Sequence, residues 1–156
     1  MKTVVAELRQ IIHEFTDKID QIPDSDFSDK LLPGKWSKKE VLGHLIDSAE
    51  NNLRRFITGQ YESVPPKIVY DQDFWVTANG YQRTPKADII SLWKLINERI
   101  CEILLSVPVE KYNAVCDTGK EAAQHKALEW LAADYVKHMK HHLNQIIPGS
   151  FTITYP

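Results

Sequence analysis

Apolar residues recur every three or four positions in four long stretches of the chain, the spacing of amphipathic helices. The first stretch runs from about Thr3 to Ile22 and stops at Pro23 and the polar, acidic residues that follow. Its apolar positions are Val4, Leu8, Ile11, Phe15, Ile19 and Ile22. No stretch of comparable length alternates apolar and polar residues as a half-buried strand would. The pattern predicts a chain built from long helices.

Start and stop signals bound the other three helices. Ser37 and Glu40 have the spacing of a capping box, in which each side chain bonds the other residue's backbone amide. Pro85 suits the first turn of the third helix, and Pro148 follows the last one. The second, third and fourth helices are predicted over residues 37–58, 84–107 and 122–147.

A long connection, residues 60–83, separates the second helix from the third. A structureless link of this length is unusual in a compact domain unless it is functional. Residues 71–77 could form one or two helical turns within it. In that segment Asp73, Phe74 and Trp75 are candidates for a pocket wall or lid, and ordinary packing of the two aromatic residues is the alternative interpretation.

Four long helices with one long crossover predict an all-α fold, a four-helix bundle that occupies residues 1–156 as one domain. Residues 112–119, between the third and fourth helices, are expected to be extended with a turn. A chain of 156 residues can bury a sizeable core without a disulfide or a metal. Cys101 and Cys116 are therefore expected to be free thiols, the first on a helix and the second in a loop.

Charge and composition narrow the classes of function. The formal net charge is −2, and no long basic run suggests nucleic-acid binding. No apolar stretch approaches the length of a membrane span. Glu7 and Arg9 interrupt the apolar segment that a signal peptide would need, so a cytoplasmic location is expected.

Two histidines one helical turn apart, His138 and His142, lie on the predicted fourth helix. They fall about 40° apart on one margin of its apolar face. His44 lies beside the apolar face of the second helix. Three imidazoles that met between the helices could bind one cation and leave a coordination position open. The alternative is that each is an ordinary residue at the boundary of the core. His141 is expected to point toward solvent, and no role is assigned to His125.

Polar residues next to these histidines are candidates for the chemistry of the site. Asp47 and Asp134 each lie one turn from a histidine and could orient an imidazole or accept a proton. Asn51 and Arg55 could bind an anionic substrate group. The alternative for all four residues is a solvated helix face.

The order of these motifs resembles the DinB superfamily, and its YfiT-like branch in particular. The segment 34–47, with its Gly-Lys-Trp-Ser entry and His44, is similar to the first signature of that family, and His138–His142 to the second. The resemblance extends over essentially the whole chain. It implies a bundle with up-down-down-up topology and one divalent metal held by His44, His138 and His142.

Three alternatives for function follow, and the resemblance implies the first two. A three-histidine site suits zinc or nickel, and a bound water could act as nucleophile in a hydrolase. The same position could instead ionise a low-molecular-weight thiol such as bacillithiol or mycothiol in an S-transferase or isomerase. The third alternative is a metal-binding module without turnover. A small-molecule substrate is expected for either enzyme, and a homodimer is implied by resemblance alone.

Overall fold

The computed structural model describes residues 1–153 and 155 of the chain. Within these residues, six α-helices and two short strands follow one another. They are α1 (Lys2–Asp20), α2 (Asp24–Ser28), α3 (Lys38–Thr58), α4 (Gln72–Asn79), α5 (Lys86–Ser106), β1 (Val115–Asp117), β2 (His125–Ala127) and α6 (Leu128–Ile146). Single turns of 3₁₀ helix lie at Tyr81–Arg83 and Val109–Lys111.

The four long helices form a ring in which α1 and α3 each pack against both α5 and α6. The terminal ammonium group of Met1 lies 3.9 Å from Glu129, so the start of α1 meets the start of α6 and the two run parallel. Lys86, the first residue of α5, donates a hydrogen bond to the carbonyl oxygen of Asp20, the last residue of α1. The helices α1 and α5 are therefore antiparallel.

The direction of α3 follows from two aromatic contacts with α6. His44, early in α3, lies against His142, late in α6, and Phe56 near the end of α3 lies against Tyr135. Helix α3 is thus antiparallel to α6 and runs in the same direction as α5. This up-down-down-up order confirms the predicted four-helix bundle, and it requires the long crossover between α3 and α5.

One hydrophobic core joins the four helices. Its largest fully buried side chains include Trp93, Tyr135, Phe15, Phe27 and Phe56. Phe27 belongs to α2, a short helix in the acidic stretch that was expected only to end the first helix. Burial of Phe27 and the ion pair of Asp26 with Lys38 at the start of α3 hold α2 against the bundle. Within the described part of the chain, no helix combines the length and apolarity needed to cross a membrane.

The crossover contains the predicted helical turns, which form α4. The Asp71 carboxylate accepts hydrogen bonds from the first amides of α4. Gly80 ends α4 with φ of 61°, a left-handed conformation that glycine adopts at low cost. Helix α4 and the following 3₁₀ turn pack against α3. The crossover therefore covers a face of α3 that would otherwise meet solvent.

The fourth helix begins later than predicted, because residues 125–127 form β2 instead of a first helical turn. The strand pairs antiparallel with β1, and the Asp117 carboxylate accepts hydrogen bonds from the backbone amides of Gly119 and Gln124 in the loop between them. A Cβ at Gly119 would lie 1.7 Å from the Ala122 carbonyl oxygen, so only glycine fits this turn. Tertiary pairing here overrides a locally helical sequence.

Both cysteines are free thiols, as predicted. Cys101 is buried on α5, as expected. Cys116 was expected in a loop, and that prediction is wrong: it lies in β1 and is fully buried. Burial raises the pKa of the Cys116 thiol, which disfavours its reactive thiolate form.

Candidate metal centre

Three histidine side chains converge between α3 and α6. The Nε2 atom of His138 lies 3.3 Å from Nε2 of His44 and 3.1 Å from Nε2 of His142. One nitrogen from each of the three rings lies within 4.8 Å of the others. The structure thus brings together the three histidines that the sequence singled out.

This spacing fits a tetrahedral divalent ion. With metal–nitrogen distances near 2.0–2.1 Å, two ligand nitrogens of a tetrahedral zinc lie about 3.3 Å apart. Hydrogen bonds alone cannot account for the cluster, because one imidazole nitrogen of His138 faces two others and has only one hydrogen or one lone pair to share. Among the described residues, no cysteine, carboxylate or further histidine joins the group. A four-coordinate ion would therefore keep one position open.

Local structure explains why these side chains meet. The i, i+4 spacing places His138 and His142 on one side of α6. The capping box forms as predicted, with Ser37 and Glu40 bonding each other's amides, and it fixes where α3 begins. Trp36, just before the cap, lies with its ring 5.0 Å from that of His44. The start of α3 is thereby set so that His44 faces α6.

The imidazoles are poised to be neutral. His44 is fully buried, and burial, with the nearby His142, lowers its pKa to about 3. Burial, with the neighbouring histidines, lowers the pKa of His138 to about 2. The pKa of His142 is also lowered, again chiefly by burial. Neutral imidazole is the form that binds a metal, so the protein has already met this requirement at neutral pH.

The outer nitrogens of two of the rings have polar neighbours. The Ser48 hydroxyl lies 3.4 Å from Nδ1 of His138, and the Gln145 side-chain oxygen lies 3.1 Å from Nδ1 of His142. When Nδ1 donates its hydrogen in such a contact, Nε2 keeps its lone pair for a metal. Nδ1 of His44 is buried and has no hydrogen-bond partner among the described residues. His44 is held instead by the packing of α3 and Trp36.

Asp47 is buried, so the interpretation of a solvated helix carboxylate is wrong. Its Oδ1 accepts hydrogen bonds from the Tyr81 hydroxyl at 2.6 Å and from the Asn79 amide at 2.8 Å. Burial raises the pKa of Asp47 to about 6, although these two bonds oppose the rise. Gly43 makes the contact possible, because a Cβ there would lie 2.1 Å from the Tyr81 ring. The crossover is thus fastened to α3 one turn after His44.

The polar stripe of α3 that could have been a solvated face is mostly buried. Asn51 is buried, and its amide donates to the carbonyl oxygen of Asp47 within the helix. Arg55 is half-buried and donates to the carbonyl oxygen of Ile68 in the crossover. Trp75 is half-buried beside Tyr70, whereas Phe74 is 69% exposed and does not pack into the core as the alternative required. The crossover covers this face of α3, which is why most of the polar stripe is buried and not solvated.

Asp134 is half-buried on α6, which also contradicts a solvated position. It accepts a hydrogen bond from the Tyr155 hydroxyl at 3.2 Å, and burial raises its pKa. The Tyr155 ring lies 5.4 Å from that of His138. His141 was expected to point to solvent, but it is half-buried beside His142 and Tyr155. His125 is exposed in β2.

Two cavities flank the histidine cluster. One, of about 530 Å³, is lined by His142, Trp36 and Asp73 among others. The second, of about 270 Å³, is lined by His138 together with Ser48, Asn52, Arg55, Tyr70, Lys126, Asp134 and Tyr155 among others. Trp36, Tyr70 and Tyr155 were not identified from the sequence as site residues. Trp36 carries a weak signal, since it precedes the capping box, whereas Tyr155 lies beyond the last helix and carries no periodic signal.

A family model described as the DinB superfamily matches residues 3–146. The chain belongs to the DinB superfamily. The match includes all three histidines of the cluster, and it confirms the resemblance that the two histidine motifs suggested.

The curated relatives are distant in sequence and somewhat longer than this chain, which spans about four fifths of their length. A protein of Geobacillus thermodenitrificans named "putative metal-dependent hydrolase" is 24% identical over 148 residues, which cover 94% of this chain and 82% of that protein. A similarly named protein of Bacillus licheniformis is 25% identical over 91% of this chain and 80% of its own length.

Solved structures show the same fold. YfiT from Bacillus subtilis, described as a probable metal-dependent hydrolase with an unusual four-helix bundle topology, superposes with a TM-score of 0.83 at 20% identity, over 93% of this chain and 82% of that one. A mycothiol-dependent maleylpyruvate isomerase superposes with a TM-score of 0.70 at 10% identity, over 91% of this chain and 59% of that one. At these identities the likeness concerns the fold.

Proposed function

We propose that His44, His138 and His142 hold one divalent cation, zinc or nickel, and that this DinB protein is a metal-dependent hydrolase. The observation that carries the proposal is the convergence of three Nε2 atoms, with neighbouring pairs 3.1 and 3.3 Å apart, beside open cavities. A bound cation would supply Lewis acidity, which lowers the pKa of a water that occupies its open position. The names of the distant relatives agree with this activity.

The residues around the cluster divide into two roles. Asp134 lines the cavity beside His138, and its raised pKa and its bond to Tyr155 suit a carboxylate that accepts and returns a proton during turnover. Burial raises the pKa of Tyr155, which therefore remains a hydrogen-bond donor. Asp47 is not among the described residues that line either cavity, so we assign it the positioning of α3 against Tyr81.

The remaining sequence candidates take supporting roles in this proposal. Trp75 packs on Tyr70, which lines the cavity beside His138, and so shapes the wall of that cavity. The Asn51 side-chain amide donates its hydrogen bond within α3, so in this proposal it does not contact the substrate. A small molecule is the substrate expected for cavities of this size.

Thiol transfer is the second candidate function. The open position could bind the sulfur of a low-molecular-weight thiol such as bacillithiol or mycothiol, and coordination would ionise it. The superposition on a mycothiol-dependent isomerase supports this alternative at the level of the fold. A non-catalytic metal-binding module is less well supported, because two cavities adjoin the cluster rather than protein side chains filling the space. A homodimer and a cytoplasmic location stay predictions.

An activity screen distinguishes these functions. Untagged protein, stripped with a chelator and then reloaded with zinc or nickel, is assayed against chromogenic carboxylic and phosphate esters, with and without added bacillithiol or mycothiol. A hydrolase requires the reloaded metal and no thiol, and His44→Ala abolishes its turnover. Turnover only with a thiol would assign the protein to thiol transfer. Ester turnover that persists in both the stripped protein and His44→Ala would contradict a metal-dependent activity.

A further inference from the structure

The cavity beside His138 contains a guanidinium group with unused donors. Arg55 donates from Nε and Nη2 to the carbonyl oxygen of Ile68 and from Nη1 to the side chain of Asn52. A guanidinium group carries five N–H bonds, so these contacts leave one hydrogen on Nη1 and one on Nη2. Arg55 also lines the cavity that His138 lines. The two remaining hydrogens lie on the two terminal nitrogens, the ends of a planar fork that commonly binds the two oxygens of a carboxylate.

Among the residues that the structure describes, the charge of Arg55 has no close counter-ion. In residues 1–153 and 155, no carboxylate lies within salt-bridge distance of it. Asp134 lines the same cavity but accepts the hydroxyl of Tyr155. Lys126 adds a second cation to the lining, so two positive side chains face one carboxylate. A partly desolvated guanidinium in such surroundings is stabilised by an anion.

The position of Arg55 on α3 indicates where an anion bound to it would lie relative to the histidine cluster. Ser48, which contacts His138, precedes Arg55 by seven residues, or about 10 Å along the helix axis. The backbone of Arg55 therefore lies two helical turns beyond Ser48, and a group bound by its side chain lies in the cavity that also reaches His138. Such a group would belong to one end of an elongated molecule whose other end reaches the histidine cluster.

We propose that this cavity is a subsite for the carboxylate of an elongated substrate, bound by Arg55 and steered by Lys126. The proposal rests on the proposed function, since it assumes that the substrate reacts at the histidine cluster. A planar carboxylate suits the two free hydrogens of the fork. The alternative is that Arg55 only ties the crossover to α3 through Ile68, in which case the cavity has no preference for anions.

Benzoate and its uncharged isostere benzamide test the preference in the full-length, metal-containing protein. Binding is measured by ligand-observed NMR and by calorimetry. We expect benzoate to bind at least about tenfold more tightly than benzamide, because only the anion forms a charge-assisted pair. Equal binding of the two, or no binding of either, overturns the proposal. Inorganic phosphate that displaces benzoate, at concentrations where acetate does not, would overturn the choice of a carboxylate.

Two neighbouring arginines provide a matched pair of variants. Arg55→Gln removes the charge in the cavity, whereas Arg54→Gln makes the same change at the adjacent, exposed position on α3. The proposal expects benzoate affinity to fall about tenfold or more in R55Q and to stay unchanged in R54Q. An equal fall in both variants would indicate a general effect of charge and overturn the subsite. The comparison of benzoate with benzamide in wild type needs no variant, so it decides the question if R55Q fails to fold.

The histidine variant separates this inference from the proposed function. His44 is not among the described residues that line the subsite, so His44→Ala is expected to lose metal and keep its preference for benzoate. Loss of benzoate binding together with the metal would mean that the carboxylate binds the cation, and would overturn the role of Arg55. Metal content that stays at wild-type level in R55Q, while benzoate binding falls, would show that the metal site is intact and the subsite alone is lost.

Discussion

Helices α1 and α3 have similar lengths and both pack against α5 and α6, but they bury different residues. All six buried residues of α1 are apolar. Of the 14 buried residues of α3, seven are polar or charged: Lys39, Glu40, His44, Asp47, Ser48, Asn51 and Asn52. Burying such groups costs free energy unless they find partners. The contrast indicates that α1 serves stability and that α3 bears a constraint beyond stability.

The cavities beside α1 and α3 differ in the same way as the buried residues of the two helices. A third cavity, of about 830 Å³, lies along α1 and α5 and is lined by exposed charges such as Arg9 and Glu102, which pair with each other. The cavities beside α3 are smaller, but they are lined by histidines whose pKa is lowered by burial. Buried groups with perturbed pKa values are typical of functional sites, so they favour the two cavities beside α3 over the larger one.

The largest expected effect is loss of the metal in His44→Ala. The change removes one of the three proposed ligands, so the variant is expected to retain less than about a tenth of the wild-type metal. His13→Ala is the matched control, since His13 is an exposed histidine on α1. Elemental mass spectrometry of untagged protein measures both. Equal metal content in wild type and His44→Ala would mean that His44 is not a ligand and that the buried polar residues of α3 do not indicate a metal site.

Leu8→Ala tests whether α1 contributes to stability and not to metal binding. Leu8 is fully buried on α1, and truncation should lower the free energy of unfolding by about 3 kcal/mol through lost burial and a residual cavity. Metal content of the folded protein should not change. Denaturant unfolding and metal analysis of the same sample measure the two quantities. Metal loss in folded Leu8→Ala would show that α1 also supports the site.

Tyr81→Phe removes one donor from the buried Asp47 carboxylate. We expect a loss of about 1–2 kcal/mol in the free energy of unfolding, because the buried acceptor loses a hydrogen bond. Tyr61→Phe is the control, since Tyr61 is 67% exposed. Similar stability in the two variants would mean that the network around Asp47 does not hold the crossover to α3.

Lowering the pH to about 5 is expected to have only a small effect on the metal content of the protein. The pKa values of the cluster are lowered, to about 3 for His44 and about 2 for His138, so these imidazoles stay neutral well below the ordinary histidine pKa. Protons should therefore compete weakly for them, and metal should be retained on dialysis at about pH 5. Metal content after dialysis across a pH series measures this. Release that follows a midpoint near the ordinary histidine pKa would contradict the burial of the cluster.

Much of the bundle could be predicted because its signals are local. The seam of α1 and the capping box at Ser37 and Glu40 each depend on residues within a few positions of one another. The i, i+4 pair His138 and His142 is local in the same sense. His44 was a candidate third member because it lies beside the apolar face of its own helix, and the resemblance to the superfamily then favoured the three-histidine site over the alternative of ordinary boundary residues.

The errors concern contacts between distant parts of the chain. Residues 125–127 have a helix-compatible sequence, but pairing with β1 makes them a strand. Asp47 was open to interpretation as solvated because nothing near it in the sequence shows that Tyr81 and Asn79 cover it. Tyr155 reaches Asp134 from beyond the last helix. The periodicity of α3 does not show that the crossover buries the polar stripe of this helix.

Anomalous diffraction from crystals of the untagged protein, grown with zinc, would locate the bound metal itself. We expect one anomalous peak between α3 and α6, bonded to Nε2 of His44, His138 and His142 at about 2.1 Å, with a non-protein ligand in the remaining position. A peak elsewhere, or a fourth protein ligand that closes the site, would contradict the proposed metal centre. Absence of any peak between the three rings in zinc-grown crystals would contradict it as well.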